Sequence, residues 1–511
     1  MSDWSAGYVA DIGYTFGYYT ELNPLRIKLA FLNNGLVYPE VGTACELGFG
    51  QGLSANIHAA ASVTRWYGTD FNPSQAGFAQ SLAAKTNSGA ELFDDSFSEF
   101  LGRTDLPDFD YIGLHGIWSW ISDANRHVVV EFIRKKLKVG GVLYISYNTF
   151  PGWASFSPIR HLMTAHASSL GAEGDGIVTR IEGSLDFVQK LLETNPAFGR
   201  SNPQVAERVG KLKEQNRQYL AHEYFNRDWQ PMHFSTMAEW MDEAKLQYAC
   251  SAHYLDHVEV VNLTSDQQEF LKAIPDPILS ESTRDFMVNQ QFRRDYWVKG
   301  LRRMSALEQS EALGSQRVIL VTHRPGVSLK VTGALGQADM NADIYNPILD
   351  RLSNHKSQSL LELFNAVKAG GISFAQVVQA VMVLANGGHL AAVQDEPVIS
   401  KSRKQTDRLN AYLLSTSRGS GDVSYLASPV TGGAVAVTRL QQLFLLAIGK
   451  GLKTPAEWAQ SAWEPLSLQG EKLLKNGVAL ESPEENIVEL TRQAQEFSTE
   501  WVASLKALQV Y

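Results

Sequence analysis

One stretch of this chain restricts its fold more than any other. Glu46-Leu47-Gly48-Phe49-Gly50-Gln51-Gly52 places three glycines at alternate positions between a short apolar run and a helical pattern. A strand ending there must turn sharply, and glycine takes up positive φ without a Cβ penalty and lets a ligand approach the main chain. The spacing departs from the dinucleotide pattern G-x-G-x-x-G, because Leu53 stands where the third glycine belongs; a nicotinamide dinucleotide is therefore disfavoured. Asp70 lies 18 residues beyond Gly52, close to the offset of about 20 at which an acid ending the next strand meets ribose hydroxyls. Loop and acid together read as a nucleoside site.

The flanking sequence supplies the sheet that such a loop requires. Ala44–Leu47, Arg65–Asp70, Ala90–Phe93, Phe109–Leu114 and Gly141–Tyr147 are predicted strands, separated by predicted helices Leu53–Ser62, Ser74–Lys85 and Asp123–Lys136. This alternation predicts an α/β fold, a Rossmann-like parallel sheet with helical crossovers. Ile159–Leu220 is helical and polar, an inserted element, and strand-like sequence returns at Tyr248–Asn262, so later chain is expected to complete the first domain. Val318–Thr322 opens a further region with helices Ser357–Lys368 and Phe374–Asn386, and Ile487–Leu508 is strongly helical. The expected division is 1–158 for the nucleoside-binding domain, 159–220 for the helical insertion and 221–310 for the domain's completion. A middle winged-helix-like domain at 311–395 and a C-terminal domain at 396–511 follow.

Composition narrows the function classes. The chain has 511 residues, 44% hydrophobic and 19% charged, which is enough to bury several cores. A net charge of −9 repels polyphosphate. Ser357–Gln394 has a helix-turn-helix-and-wing pattern, but its second helix, Phe374–Asn386, lacks Lys and Arg. No nucleic-acid partner is expected. Two cysteines, Cys45 and Cys250, are too few for a disulfide framework. With no signal-peptide pattern at Met1–Gly7 and no apolar run of bilayer length, a cytoplasmic protein without a membrane span is expected. His253 and His257 lie four apart in a strand-like run without a third ligand, so no metal is expected, and the basic cluster Lys401–Arg408 reads as a solvated loop.

An acid, an alternating glycine loop and an aspartate ending the second strand resemble the cofactor site of class I methyltransferases that use S-adenosyl-L-methionine. Asp94-Asp95-Ser96-Phe97 stands where that fold's adenine-contacting turn belongs, and His115–Trp120 follows the fourth strand, where the methyl acceptor enters in that family. Ile145-Ser146-Tyr147-Asn148-Thr149-Phe150-Pro151-Gly152-Trp153 is similar to the Y-N-T-x-P-G-W signature of methyltransferases with a methyltransferase regulatory domain. Gly13-Tyr14-Thr15 with Asn23-Pro24 resembles their N-terminal lid. Tyr219–Phe225 with Pro231–Phe234 resembles their central block, and Leu426–Gly433 followed by Arg439-Leu440 and Leu443–Ala447 a distal one. The resemblance reaches about Lys450 and includes rickettsial protein-lysine methyltransferases that act on outer-membrane proteins.

The resemblance implies S-adenosyl-L-methionine as cofactor, with contacts from Glu46, Gly48, Phe49, Gly50, Gly52, Asp70, Phe71, Asp95, Ser96 and His115. It also implies a protein-lysine acceptor and a homodimer, with the helical insertion Ile159–Leu220 as the dimerisation element. A lysine must lose its proton before it attacks. The expected catalytic groups are His115 and Tyr147, and the expected acceptor contacts are Trp118, Trp120, Asn148 and Trp153. Transfer to a small molecule and a non-enzymatic cofactor-binding scaffold are the alternatives at this point.

Overall fold

The computed structural model describes residues 15–170 and 176–511. Gly13 and Tyr14 of the lid motif, and the N-terminal residues read for a leader, lie outside the described residues. The centre is a seven-stranded sheet of order β3-β2-β1-β4-β5-β7-β6. Its strands are β1 (Thr43–Leu47), β2 (Arg65–Thr69), β3 (Glu91–Phe93), β4 (Phe109–Leu114), β5 (Leu137–Asn148), β6 (Gln247–Ser251) and β7 (Phe292–Val298). The pairs among β1 to β5 are parallel, whereas β7 runs antiparallel to both of its neighbours. This is the Rossmann-like class I arrangement expected. All five residues of β1 are buried, as a central parallel strand covered on both faces requires.

The helix Leu53–Ala61 that follows the glycine loop has no solvent face: all nine residues are buried. Ala55 and Ala59 pack into the cluster that contains Trp66 and Tyr111 of the sheet. Leu53, Ile57, Ala60 and Ala61 pack instead with Leu409, Leu413, Leu426 and Leu445 from the C-terminal part of the chain. Polar contacts follow the same seam. The Thr406 hydroxyl donates to the Ala60 carbonyl at 3.0 Å, and the Gln394 amide donates to the Ala61 carbonyl at 2.8 Å. Small residues at most positions allow this close approach from two sides.

Between β5 and β6 the chain forms a helical element, including Ser157–Ser169, Ile177–Glu193 and Gln204–Lys213, with its own core around Trp153, Phe156 and Met163. Beyond β7, Arg317–Leu320 pairs antiparallel with Gln358–Ser359 and Leu390–Ala392, and helices Leu360–Val367 and Phe374–Asn386 pack beside it. No single helix among the described residues is long and apolar enough to cross a membrane. One pair, Leu360–Gly370 with Phe374–Asn386, passes by length and composition together but is bent by 119°.

Two local expectations are corrected. The strand-like run Tyr248–Asn262 is a strand only to Ser251, then a 3-10 turn at Tyr254–His257 and a short helix at Glu259–Asn262. Asn262 drives the change, because its side-chain amide donates to the Leu255 and Val258 carbonyls and closes the turn. Lys401–Arg408 is no loop: it lies inside the 21-residue helix Glu396–Thr416, whose opposite face, with Ser402 and Thr406, is buried. Trp118 and Trp120, two residues apart, lie in a 3-10 turn.

The shared packing of Leu53–Ala61 makes the C-terminal part of the chain a structural requirement. A chain ending at residue 395 would uncover Leu53, Ile57, Ala60 and Ala61. We expect it to aggregate or to bind a hydrophobic dye strongly, and a soluble truncation that unfolds at the full-length temperature would refute this.

Candidate active site

The glycine loop sits on three left-handed residues. Gly48, Gly50 and Gly52 have φ of 72°, 57° and 64°. The Gly48 amide donates to the Thr69 carbonyl at 2.8 Å, and the Gly50 amide donates to Asp70 Oδ2 at 2.8 Å, so the end of β2 clamps the turn. Asp70 Oδ1 accepts from the Asn72 amide at 3.0 Å. Gly52 does not face the ligand space. A Cβ there would lie 2.5 Å from the Ala79 Cβ, so its bareness serves helix packing.

Above the loop is a cavity of about 170 Å³. It is lined by Glu46, Gly48, Phe49, Gly50, Asp70 and Phe71 from the first two strand ends, and by Asp95 and Ser96 after β3. His115 to Ile117 follow β4, and Trp120 to Ser122 come from the 3-10 turn and the residues after it. Sequence reasoning missed three groups that also face the cavity. Tyr19 enters from the N-terminal segment, Gln75 and Asn125 come from helix starts, and His222, Glu223 and Asp228 come from the chain beyond the helical insertion. The block Tyr219–Phe225 carried the last group's signal, but nothing in its spacing shows which side chains turn inward.

Five carboxylates, Glu46, Asp70, Asp95, Glu223 and Asp228, line this cavity, and no Lys or Arg is among the described lining residues. Burial, with a smaller contribution from the Asp70 charge, pushes Glu46 up to about 8. Its Oε2 is buried without a hydrogen-bond partner. Burial likewise raises Asp70 to about 6 against the pull of the Asn72 and Gly50 amides. Glu223 is pushed up to about 7 by burial, and no hydrogen bond or ion pair of its carboxylate is found among the described residues. Asp95 differs, being held by Arg103 at 3.1 Å. Unfilled acceptors in a dry cavity are costly unless a cationic donor meets them.

His115 has a different character. Its ring stacks on Tyr19 with centroids 4.0 Å apart, and its Nδ1 is 2.8 Å from the Tyr144 hydroxyl. Burial lowers it to about 4, with Glu21 and Arg294 acting in opposite senses. It is therefore neutral at pH 7 and a weak proton acceptor.

Four other expected site residues lie outside the cavity lining. Tyr147 is fully buried, and its hydroxyl donates to Asp295 at 2.8 Å, inside a cluster where Arg293 pairs with Asp285 and Asp295. Trp118 is core, its indole N–H directed at the Met232 sulfur. The Asn148 main-chain N–H donates to the Ser119 hydroxyl at 2.8 Å and its main-chain carbonyl accepts from the Met232 N–H. Trp153 packs in the helical element, with Arg208 stacked 4.2 Å from its ring. Of the four aromatic residues expected at the site around the acceptor, Trp118, Trp120, Tyr147 and Trp153, only Trp120 lines the cavity.

Residues 216–299 match the family model described as a predicted methyltransferase regulatory domain. The uncharacterized protein sll1526 of Synechocystis is 40% identical over 500 residues, covering 97% of both chains. The chain belongs to the family of class I methyltransferase-fold proteins that carry this domain. An uncharacterized Rickettsia prowazekii protein, RP789, is 32% identical over 210 residues, which span 39% of this chain and 34% of RP789. Among solved structures, PKMT2 from Rickettsia typhi in complex with AdoHcy superposes with a TM-score of 0.70 at 16% identity, covering 97% of this chain and 99% of that one. That likeness establishes a shared fold from end to end.

Gly52→Ala tests the packing role of the third glycine. Left-handed strain of about 1–2 kcal/mol and overpacking against Ala79 of about 1–3 kcal/mol should together lower stability by about 2–5 kcal/mol, read by denaturant unfolding. A loss below 1 kcal/mol would contradict the close approach.

Proposed function

We propose that this protein is an S-adenosyl-L-methionine-dependent methyltransferase whose acceptor is the side-chain amine of a protein lysine. The observation that carries the reading is the cavity beside the glycine loop, with five carboxylates and no Lys or Arg in its described lining. Such a wall attracts cations and repels acidic or phosphorylated acceptors. The residues present fit the cofactor: Glu46 offers an unpartnered buried acceptor, Asp70 ends β2 beside the bare backbone of Gly48 and Gly50, and Phe71 and Phe97 offer apolar surface. S-adenosyl-L-methionine supplies a methyl group already activated by its sulfonium. The AdoHcy bound to the R. typhi protein of the same fold supports this choice.

The protein's own task is then to position the amine and take its proton. Glu223 suits the second role better than His115. A general base works best with a pKa near the working pH. Burial sets Glu223 at about 7 and His115 at about 4, so the carboxylate holds the proton more readily by about three powers of ten. Trp120, whose indole N–H points to the Glu223 carbonyl at 3.4 Å, places apolar surface beside that carboxylate for a lysine stem. Neutral His115, fixed between Tyr19 and Tyr144, shapes the cavity wall.

The decisive experiment incubates the protein with methyl-labelled S-adenosyl-L-methionine and cell lysate. Base-stable label in acid-precipitable protein is the expected result, whereas label confined to small molecules would move the function to a small-molecule methyltransferase. No label with a bound cofactor would favour the scaffold.

Glu223→Gln should lower the transfer rate by about 10²–10⁴-fold while cofactor affinity stays within about twofold. In the parent protein the rate should rise with pH up to about 7 and then level; persistence of that limb in the variant would remove Glu223 from the role. Cofactor binding should also depend on pH. Glu46 is largely protonated below about 8, and a cationic ligand favours its ionised form, so affinity should increase from pH 6 to pH 8. Calorimetry on Glu46→Gln should show weaker binding and a flattened pH response.

A further inference from the structure

A second cavity, of about 540 Å³, lies where the N-terminal segment and the sheet meet the middle and C-terminal parts of the chain. Leu29, Val318 and Leu390 give it apolar walls, and two guanidinium groups, Arg26 and Arg294, face it. Arg26 stacks 4.3 Å from the Tyr254 ring centroid, and none of its guanidinium nitrogens has a hydrogen bond or ion pair among the described residues. Arg294 lies 5.2 Å from the Phe292 ring centroid and meets one ionic partner, Glu21, at 3.4 Å, in an orientation that leaves its Nε without a hydrogen bond. Arg317 also lines the cavity, but its donors are occupied by Ser357 and Glu362.

Glu21 is the only carboxylate in the described lining. Burial would raise its pKa, but Arg26, Arg294 and His115 outweigh this and hold it below the ordinary carboxylate range. Both guanidiniums line this one cavity, and with Arg317 offset by Glu362, the two and Glu21 leave its described lining one positive charge in excess. Planar guanidinium donors match a carboxylate in two-pronged fashion. A single excess charge suits a monoanion, and the apolar walls suit a ligand with a hydrocarbon body.

We propose that this cavity binds a small organic carboxylate with an apolar body, its carboxylate held between Arg26 and Arg294. Glu21 belongs to the 3-10 turn Thr20–Leu22, directly after Tyr19, whose ring stacks on His115 in the first cavity. A ligand that takes Arg294 from Glu21 loosens the tie holding this turn and so changes the wall of the methyl-transfer site. That last clause rests on the function proposed above; the binding itself does not.

The test is calorimetric titration of the full chain with octanoate, with inorganic phosphate as a bare anion and N-acetyl-Glu-Glu amide as an acidic peptide. Saturable one-to-one octanoate binding is expected, at least tenfold weaker in Arg26→Gln and in Arg294→Gln. Circular dichroism identifies whichever variant remains folded, and either one suffices. Absence of octanoate binding at millimolar concentration, or undiminished binding to a folded variant, would overturn the site. Phosphate binding as tightly as octanoate, or the peptide binding more tightly, would overturn the assignment of an apolar carboxylate. If the site binds but S-adenosyl-L-methionine does not bind to the first cavity, the function fails and the carboxylate site stands.

Discussion

A helix without a solvent face sets the terms for the rest of this molecule. Leu53–Ala61 starts at Gly52, where the ligand-facing loop ends, and is buried along its whole length. A parallel sheet ordinarily covers one side of such a helix and leaves the other to water. Here the second side carries Leu53, Ile57, Ala60 and Ala61, which have to be covered, and the C-terminal part of the chain covers them. Burying the large apolar side chains among them is worth about 1.5–3 kcal/mol each. The same docking brings the Thr431 carbonyl to Asn23 and the Gly432 carbonyl to His58, so the N-terminal segment that carries Tyr19 and Glu21 is anchored from behind. The helix packing and the shape of both cavities are thus one arrangement.

The acid-lined cavity embodies a destabilising choice. Carboxyl groups removed from water are raised in pKa because the charged form loses hydration. Glu46, Asp70 and Glu223 all show this, and none has a cationic partner among the described side chains. Asp95 differs, since Arg103 pairs with it. A cation entering the cavity recovers the interactions that folding withheld. An anion would meet repulsion in a low-dielectric space, where each charge acts more strongly than in water.

Much of the fold could be read from residue patterns. The strand and helix alternation from β1 to β5 follows from periodicity alone, and helix Asp123–Lys136 has the expected limits. The glycine loop and Asp70 identify the cavity because their constraints are local: positive φ at three positions and a carboxylate that accepts from Gly50. Side-chain direction is a different matter. Along β5, Tyr144 and Ser146 meet His115 and Gly116 on one face, while Ile145 and Tyr147 enter the core on the other. Since the strand period is two, an offset of one residue moves a side chain across the sheet. Tyr147 was expected at the cavity, and the group that reaches His115 is Tyr144, three positions earlier.

The side of the cavity proposed for the acceptor was least legible because it is assembled from distant chain. Trp120 comes from the turn after β4, whereas Glu223 and Asp228 come from beyond the whole helical insertion. Their meeting is secured by backbone contacts rather than by a motif: the Gln230 amide donates to the Ser119 carbonyl at 2.8 Å, and the Met232 amide to the Asn148 carbonyl at 3.1 Å. Arg126 reinforces the seam, donating to the Trp118 carbonyl and to the Gln230 side chain. These ties explain what the Y-N-T-x-P-G-W stretch contributes without lining the cavity. Asn148 and Thr149 hold the returning chain at Met232, while Trp153 packs in the core of the helical insertion. The stretch acts through position: it fixes where Glu223 stands, and that placement lets a carboxylate distant in sequence face the glycine loop.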